Sequence, residues 1–215
     1  KQGCPLVILA CNTASAKALR TIQQKDLPGI DSSKRVLGVI RPTTEVIGDY
    51  TETKHIGILG TQGTVDSGSY VIEVGKAFPD VHVHQQACPA WVPLVESGDY
   101  LDFTVADPII RECLIKLLDQ SDDIDTVLLA CTHYPLLMET IKKFVPSSIR
   151  LVTQGGIVAE KLQDYLVRHS EIESGLIRGG KLEFVTTDDA SSFDLQASLF
   201  YGGTVSARHV EIGAH

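Results

Sequence analysis

Short apolar runs rich in branched residues recur along this chain, each followed by a segment with helical spacing, and that alternation limits the fold more than any other feature. The runs are PLVILA (5–10), VLGVI (36–40), HIGILG (55–60), VHVHQ (81–85), DTVLLA (125–130), IRLVT (149–153) and LEFVTT (182–187). They have the length and composition of strands. Helical spacing occupies 14–25, 43–49, 64–78, 105–118, 136–145, 158–169 and 191–199. Strand and helix in alternation require right-handed crossovers, so the predicted class is α/β, with doubly wound, mainly parallel sheets covered by helices on both faces. A ligand in such a fold binds at the carboxyl ends of the strands.

Four of those ends place small, hydroxylated or glycine residues just ahead of a helix: ACNTAS, GTQGT (60–64), ACTHYP and TQGG (153–156). Unpaired backbone N–H groups at helix starts can hold an anion, so an anionic small molecule is the expected guest. Two of the ends match each other. VILACNTAS (7–15) and VLLACTHYP (127–135) both carry Ala-Cys at the mouth of an apolar strand. A lone cysteine in such a place is ordinarily packing, but a core has no use for Asn12-Thr13 or Thr132-His133 directly behind the thiol. The helix after Cys131 is expected to begin near Pro135, which suits a first turn, and the one after Cys11 at Thr13 or Ala14. Each thiol would then precede a helix start, where a thiolate is favoured, with His133 near enough to serve Cys131 as base or hydrogen-bond donor. Cys4, Cys88 and Cys113 lack such surroundings and read as packing residues.

Several classes fall away. A net charge of -8 and a pI near 5.3 repel a phosphate backbone, and there is no basic stripe with interleaved aromatics, so nucleic acid is not expected. The sequence has no apolar run near the roughly 20 residues that cross a bilayer, and no charged-then-apolar leader ahead of its first strand, so a soluble, cytoplasmic chain with no membrane partner is expected. Five cysteines without a CxxC pair argue for reduced thiols. His55, His82, His84 and His133 show no metal-ligand spacing; His82 and His84 can share a strand face that is simply solvated. GTQGTVDSG lacks the glycine order of a dinucleotide fingerprint. A cysteine–histidine hydrolase needs one nucleophile, whereas two equivalent thiols suit a symmetric task. Racemisation at a carbon acid is such a task, since one base removes a proton from one face while a conjugate acid returns one to the other.

ACNTAS, GTQGT followed by SGSY, ACPAWVPLVE and ACTHYPLL occur in this order, and together they resemble glutamate racemase of the aspartate/glutamate racemase superfamily. The resemblance runs from Leu6 to about Phe200. It implies two α/β domains with the active site in the cleft between them, here 1–34 plus 147–215 and 35–146. It implies no cofactor, a homodimer, and glutamate as a substrate interconverted by Cys11 on the D-face and Cys131 on the L-face. His133 and Glu96 match the assistants of the second cysteine; Asn12, Thr13, Thr61, Thr64 and Thr132 match substrate contacts. The family's opening DSG strand end and later PYG segment do not occur upstream of Cys11, so the chain resembles a racemase lacking its amino-terminal portion. LVTQGG also departs from the Asp-Ser pair usual in relatives. CTH, where aspartate racemases tend to carry CTE, favours glutamate. The alternatives are another amino-acid racemase of this superfamily and a non-catalytic anion-binding module on the same fold.

Overall fold

A computed structural model describes residues 3–211. One compact unit ends at Leu176 and a second begins at Ile177. The first unit contains two parallel sheets. In the smaller, β1 (Leu6–Leu9) pairs with β2 (Arg35–Gly38). In the larger, β3 (His55–Gly60), β4 (His82–Ala87), β5 (Thr126–Leu129) and β6 (Arg150–Thr153) lie in the order β4-β3-β5-β6. The second unit pairs β7 (Phe184–Thr186) with β8 (Ala207–His209), also parallel, beside the helix Ala190–Tyr201. Among the described residues no helix is long and apolar enough to cross a membrane.

The larger sheet shows why unbroken apolar runs, and not alternating ones, encode these strands. Ile56, Ile58 and Leu128 pack on one face with Ile47 and Tyr70, while Leu59, Val127 and Leu129 pack on the other with Trp91, Leu114 and Leu117. A strand covered on both sides needs apolar residues at every position, and each large side chain so buried contributes about 1.5–3 kcal/mol. Gly57 sits on the second face, where an added Cβ would meet Leu117 Cδ2 at 2.8 Å. Its missing side chain lets the helix Phe103–Leu118 lie directly on the sheet.

The structure departs from the expected elements where packing overrides pattern. PLVILA was expected to be a buried strand, yet Val7 and Ile8 of β1 are 40% and 37% exposed, because β1 has only β2 beside it among the described residues. The single helix expected over 14–25 is broken into Asn12–Lys17, Leu19–Thr21 and a wide π-turn, Ile22–Asp26. Pro28 comes two residues later, in the first turn of the helix Leu27–Ile30, and a proline removes the i−4 hydrogen bond of an α-helix and crowds the carbonyl there. Helix Trp91–Glu96 and β8 were not anticipated. Strand pairing also cuts across the boundaries at 34/35 and 146/147: Arg35–Gly38 adds to Leu6–Leu9, and Arg150–Thr153 lies beside Thr126–Leu129.

Candidate active site

The strands of the larger sheet end level with one another, which gathers their following residues at one edge. Leu59 is in register with Leu129, and Leu129 with Thr153. Thr61, Cys131 and Gln154 therefore leave the sheet side by side. Beyond β5 the chain turns at once: the Tyr134 N–H donates to the Cys131 carbonyl at 3.2 Å, and Pro135 enters the first turn of the short helix Tyr134–Leu137, near its expected start. The turn is anchored by the buried Tyr134 ring, whose edge meets Trp91 at 4.8 Å and whose hydroxyl donates to the Cys88 carbonyl at 3.1 Å. A buried aromatic pair of this geometry adds about 0.5–1.5 kcal/mol to its area burial.

Cys131 is 8% exposed and begins a chain of contacts. Its Sγ lies 3.8 Å from His133 Nδ1, and His133 Nε2 lies 3.2 Å from Glu96 Oε1, at the end of helix Trp91–Glu96. Burial pushes the Cys131 thiol up; the backbone N–H groups of His133 and Tyr134 act against this, and the negative charges of Cys11 and Glu96 add to it. That the charge of Cys11 acts on Cys131 places the two thiols in electrostatic reach of each other.

Cys11 is exposed and precedes the helix Asn12–Lys17, in extended conformation, with its carbonyl accepting from the Ser15 N–H at 2.9 Å. This helix starts one residue ahead of its expected position. The Thr13 hydroxyl lies 2.8 Å from that of Thr61 and 3.3 Å from that of Thr64, and Thr61 and Thr64 are 3.0 Å apart. Thr61 Oγ1 also caps helix Gln62–Asp66 by accepting from the Thr64 N–H. The two helices touch closely, since a Cβ on Gly63 would meet Thr13 Cγ2 at 3.0 Å. Asn12 points inward and is only 3% exposed; its amide N–H donates to Gln154 Oε1 at 2.7 Å, and its oxygen accepts from the Tyr70 hydroxyl at 2.7 Å.

Of the residues expected at a site, Cys131, His133 and Glu96 form one contact chain and Thr13, Thr61 and Thr64 one hydroxyl cluster. Thr132 is exposed beside Cys131. Cys88 and Cys113 are buried as expected of packing residues, whereas Cys4 is exposed, because its segment lies ahead of the sheet. Tyr70 and Gln154 were not singled out as functional. Their signal was weak: one tyrosine in SGSY, and one polar residue in TQGG. His82 and His84 share a face, but not a simply solvated one. His55 joins them, with Nδ1 3.0 Å from His84 Nε2 and its ring 4.6 Å from that of His82. This cluster lies at the amino ends of β3 and β4, away from the thiols.

Comparison with known proteins gives one consistent result. The family model described as Asp/Glu/Hydantoin racemase matches residues 1–160. The glutamate racemase of Dinoroseobacter shibae is 34% identical over 220 residues, which covers 98% of this chain and 77% of that protein. The crystal structure of a glutamate racemase isoform from Bacillus anthracis superposes with a TM-score of 0.83 at 30% identity, covering 97% of this chain and 74% of that one. A glutamate racemase from Thermus thermophilus, solved in complex with beta-chloro-D-alanine, gives 0.74 at 30% identity, with 98% and 74% covered.

Proposed function

Because the chain belongs to the Asp/Glu/Hydantoin racemase family, we propose that it is a glutamate racemase, an isomerase that interconverts L- and D-glutamate with Cys11 and Cys131 as its two acid–base groups. The Cys11 thiolate takes the Cα proton of D-glutamate, and the Cys131 thiol returns a proton to the opposite face. L-glutamate reacts by the reverse path. The observation that carries this reading is that Asn12 and Thr13, directly after Cys11, bond to Gln154 and Thr61 at the sheet edge from which Cys131 also emerges. A two-base exchange needs one base and one acid at the start of every turnover, and it ends with their roles exchanged.

The remaining residues divide by chemistry. His133, backed by Glu96, stands beside Cys131 and can stabilise its thiolate or accept its proton. Thr13, Thr61 and Thr132 offer hydroxyl groups to the substrate carboxylates and Asn12 an amide N–H, while the fully buried Thr64 supports Thr13 and Thr61 from behind. Both proton transfers run through thiols, so the reading calls on no cofactor. The curated relatives include many bacterial glutamate racemases, which supports a cytoplasmic role in supplying D-glutamate for peptidoglycan and cell shape. A homodimer is the proposed assembly, and sedimentation of the purified chain tests it.

Circular dichroism with each enantiomer of glutamate, run beside aspartate in D2O, is the decisive assay. Both glutamate enantiomers should racemise, and product should carry solvent deuterium at Cα while recovered substrate stays largely unlabelled early on. Cys11→Ser and Cys131→Ser should each abolish turnover, since a hydroxyl is far too weak an acid for either role, while Cys4→Ser should leave it intact. Turnover surviving in either of the first two variants would overturn the two-thiol reading.

A further inference from the structure

Three side chains from distant parts of the chain close a buried ring of hydrogen bonds behind Cys11. Asn12 Nδ2 donates to Gln154 Oε1 at 2.7 Å, Gln154 Nε2 donates to the Tyr70 hydroxyl at 2.8 Å, and Tyr70 donates to Asn12 Oδ1 at 2.7 Å. Asn12, Gln154 and Tyr70 are 3%, 9% and 0% exposed. Amides can be turned end for end, so the polarity of such a ring needs an external reference. It has one in the Val39 carbonyl, 3.2 Å from Gln154 Nε2. A carbonyl only accepts, so the nitrogen of Gln154 must face it, and Oε1 must face Asn12. Oε1 in turn only accepts, so Asn12 must present its nitrogen there and its oxygen to Tyr70. Thr43 lies beside them: its hydroxyl donates to Val39 O at 3.1 Å and sits 3.0 Å from Gln154 Nε2, whose two N–H groups are shared among these three acceptors. Burial pushes the Tyr70 phenol up, so it remains a donor at any working pH.

We infer that Gln154 and Tyr70 are positioning residues for the Cys11 half of the reaction: they lock the amide of Asn12 in one orientation and so fix the strand end that carries the thiol. The ring uses one Asn12 N–H, and the second is the donor that the proposed function assigns to a substrate carboxylate. Asn12 follows Cys11 directly and opens its helix, so an amide turned the other way would present an oxygen to that carboxylate and repel it. A buried ring with every member paired also holds its geometry more firmly than its separate bonds would. Gln154 opens the helix Gln154–Arg168 directly after β6, so the Cys11 segment is keyed to the same sheet edge that carries Cys131.

The inference rests on the two-thiol reading, and its test separates the two. Racemisation itself cannot distinguish the faces, since the enantiomers are equal in energy and any variant must lose kcat/KM equally in both directions. Elimination from 3-chloroglutamate can. A thiolate takes the Cα proton, the electron pair forms a Cα–Cβ double bond, and chloride leaves from Cβ; the resulting enamine takes up water to give 2-oxoglutarate and ammonia. The D-form needs only Cys11 and the L-form only Cys131. Because the charge of Cys131 also acts on Tyr70, the discriminating variant is Gln154→Met, with Tyr70→Phe beside it. Gln154→Met should slow elimination from the D-form by about tenfold, the worth of one lost hydrogen bond, raise its KM, and leave the L-form within about twofold. Tyr70→Phe should show the same order of loss. Equal loss on both forms, or no loss on either, would overturn the inference if Cys11→Ser and Cys131→Ser still divide the two forms between them. If those serine variants show no division, the two-thiol reading falls and takes the inference with it.

Discussion

Replacing Glu96 by glutamine keeps the shape of the side chain and removes only its charge from His133. At the observed 3.2 Å, and with His133 in its protonated form, opposite unit charges attract by about 5 kcal/mol at an effective dielectric of about 20 and by about 1 kcal/mol in water. The His133 and Glu96 side chains are 24% and 45% exposed, which places the pair toward the water limit. Exposed pairs deliver about 0.2–1 kcal/mol. A loss near 1 kcal/mol is about fivefold in rate, so Glu96→Gln should slow elimination from L-3-chloroglutamate about fivefold and leave the D-form within about twofold. Racemisation should fall by a similar factor in each direction. Since the pair is open to solvent, the difference between wild type and variant should shrink in about 0.5 M salt. An equal loss on the D-form would show that Glu96 does not act through His133 and Cys131. A loss near 100-fold would mean that it acts on the substrate directly.

Stability should depend on pH at two places remote from the thiols. The His84 imidazole is held below its ordinary value, first by burial and then by the charges of His55 and His82. The folded chain thus binds this proton less readily than the unfolded chain, so stability is full above about pH 6.5 and declines as pH falls below it. His84→Gln should flatten the fall in urea midpoint between pH 7.5 and 5.5, and parallel profiles would refute the assignment. Burial would raise the Asp125 carboxyl, but the neighbouring Thr51 hydroxyl and the backbone N–H groups of Thr53 and Glu52, which donate to Oδ2 at 2.8 and 2.7 Å, outweigh it and hold the group at about 2. Its stabilisation is therefore present above about pH 4 and is lost as pH falls toward about 2. Asp125→Asn should cost about 1 kcal/mol at neutral pH, after allowance for solvent screening, and the gap in urea unfolding should narrow in acid.

How far the molecule could be read from its residues depended on how local each cause was. HIGILG and DTVLLA are covered on both faces, so their apolar character was unbroken, and β3 and β5 end at or within one residue of the expected positions. Helix Trp91–Glu96 escaped because Pro93 reads as a breaker, although its burial of Trp91, Leu94 and Val95 follows helical spacing. β8 is three residues long and contains Arg208 and His209, so it carried no apolar signal. The same division holds at the site. Each thiol and its polar neighbours lie within a few residues, and Cys131 with His133 was visible as a motif. The partnership of Asn12 with Tyr70 and Gln154 joins positions separated by 58 and 142 residues. Only the folded chain brings them together, and no spacing rule encodes it.

The reference atom for the Asn12 ring belongs to the main chain, and this affects how the protein can change over time. A codon change can delete a side-chain donor or acceptor, but it cannot delete the carbonyl of Val39. Drift at position 39 is therefore free to sample other small apolar residues without erasing the cue that orients Gln154. The fragile points are positions 12, 70 and 154, where a single replacement opens the ring. A lineage that altered one of them would need to alter a second to restore closure. Substitutions at these three positions should consequently be inherited as pairs.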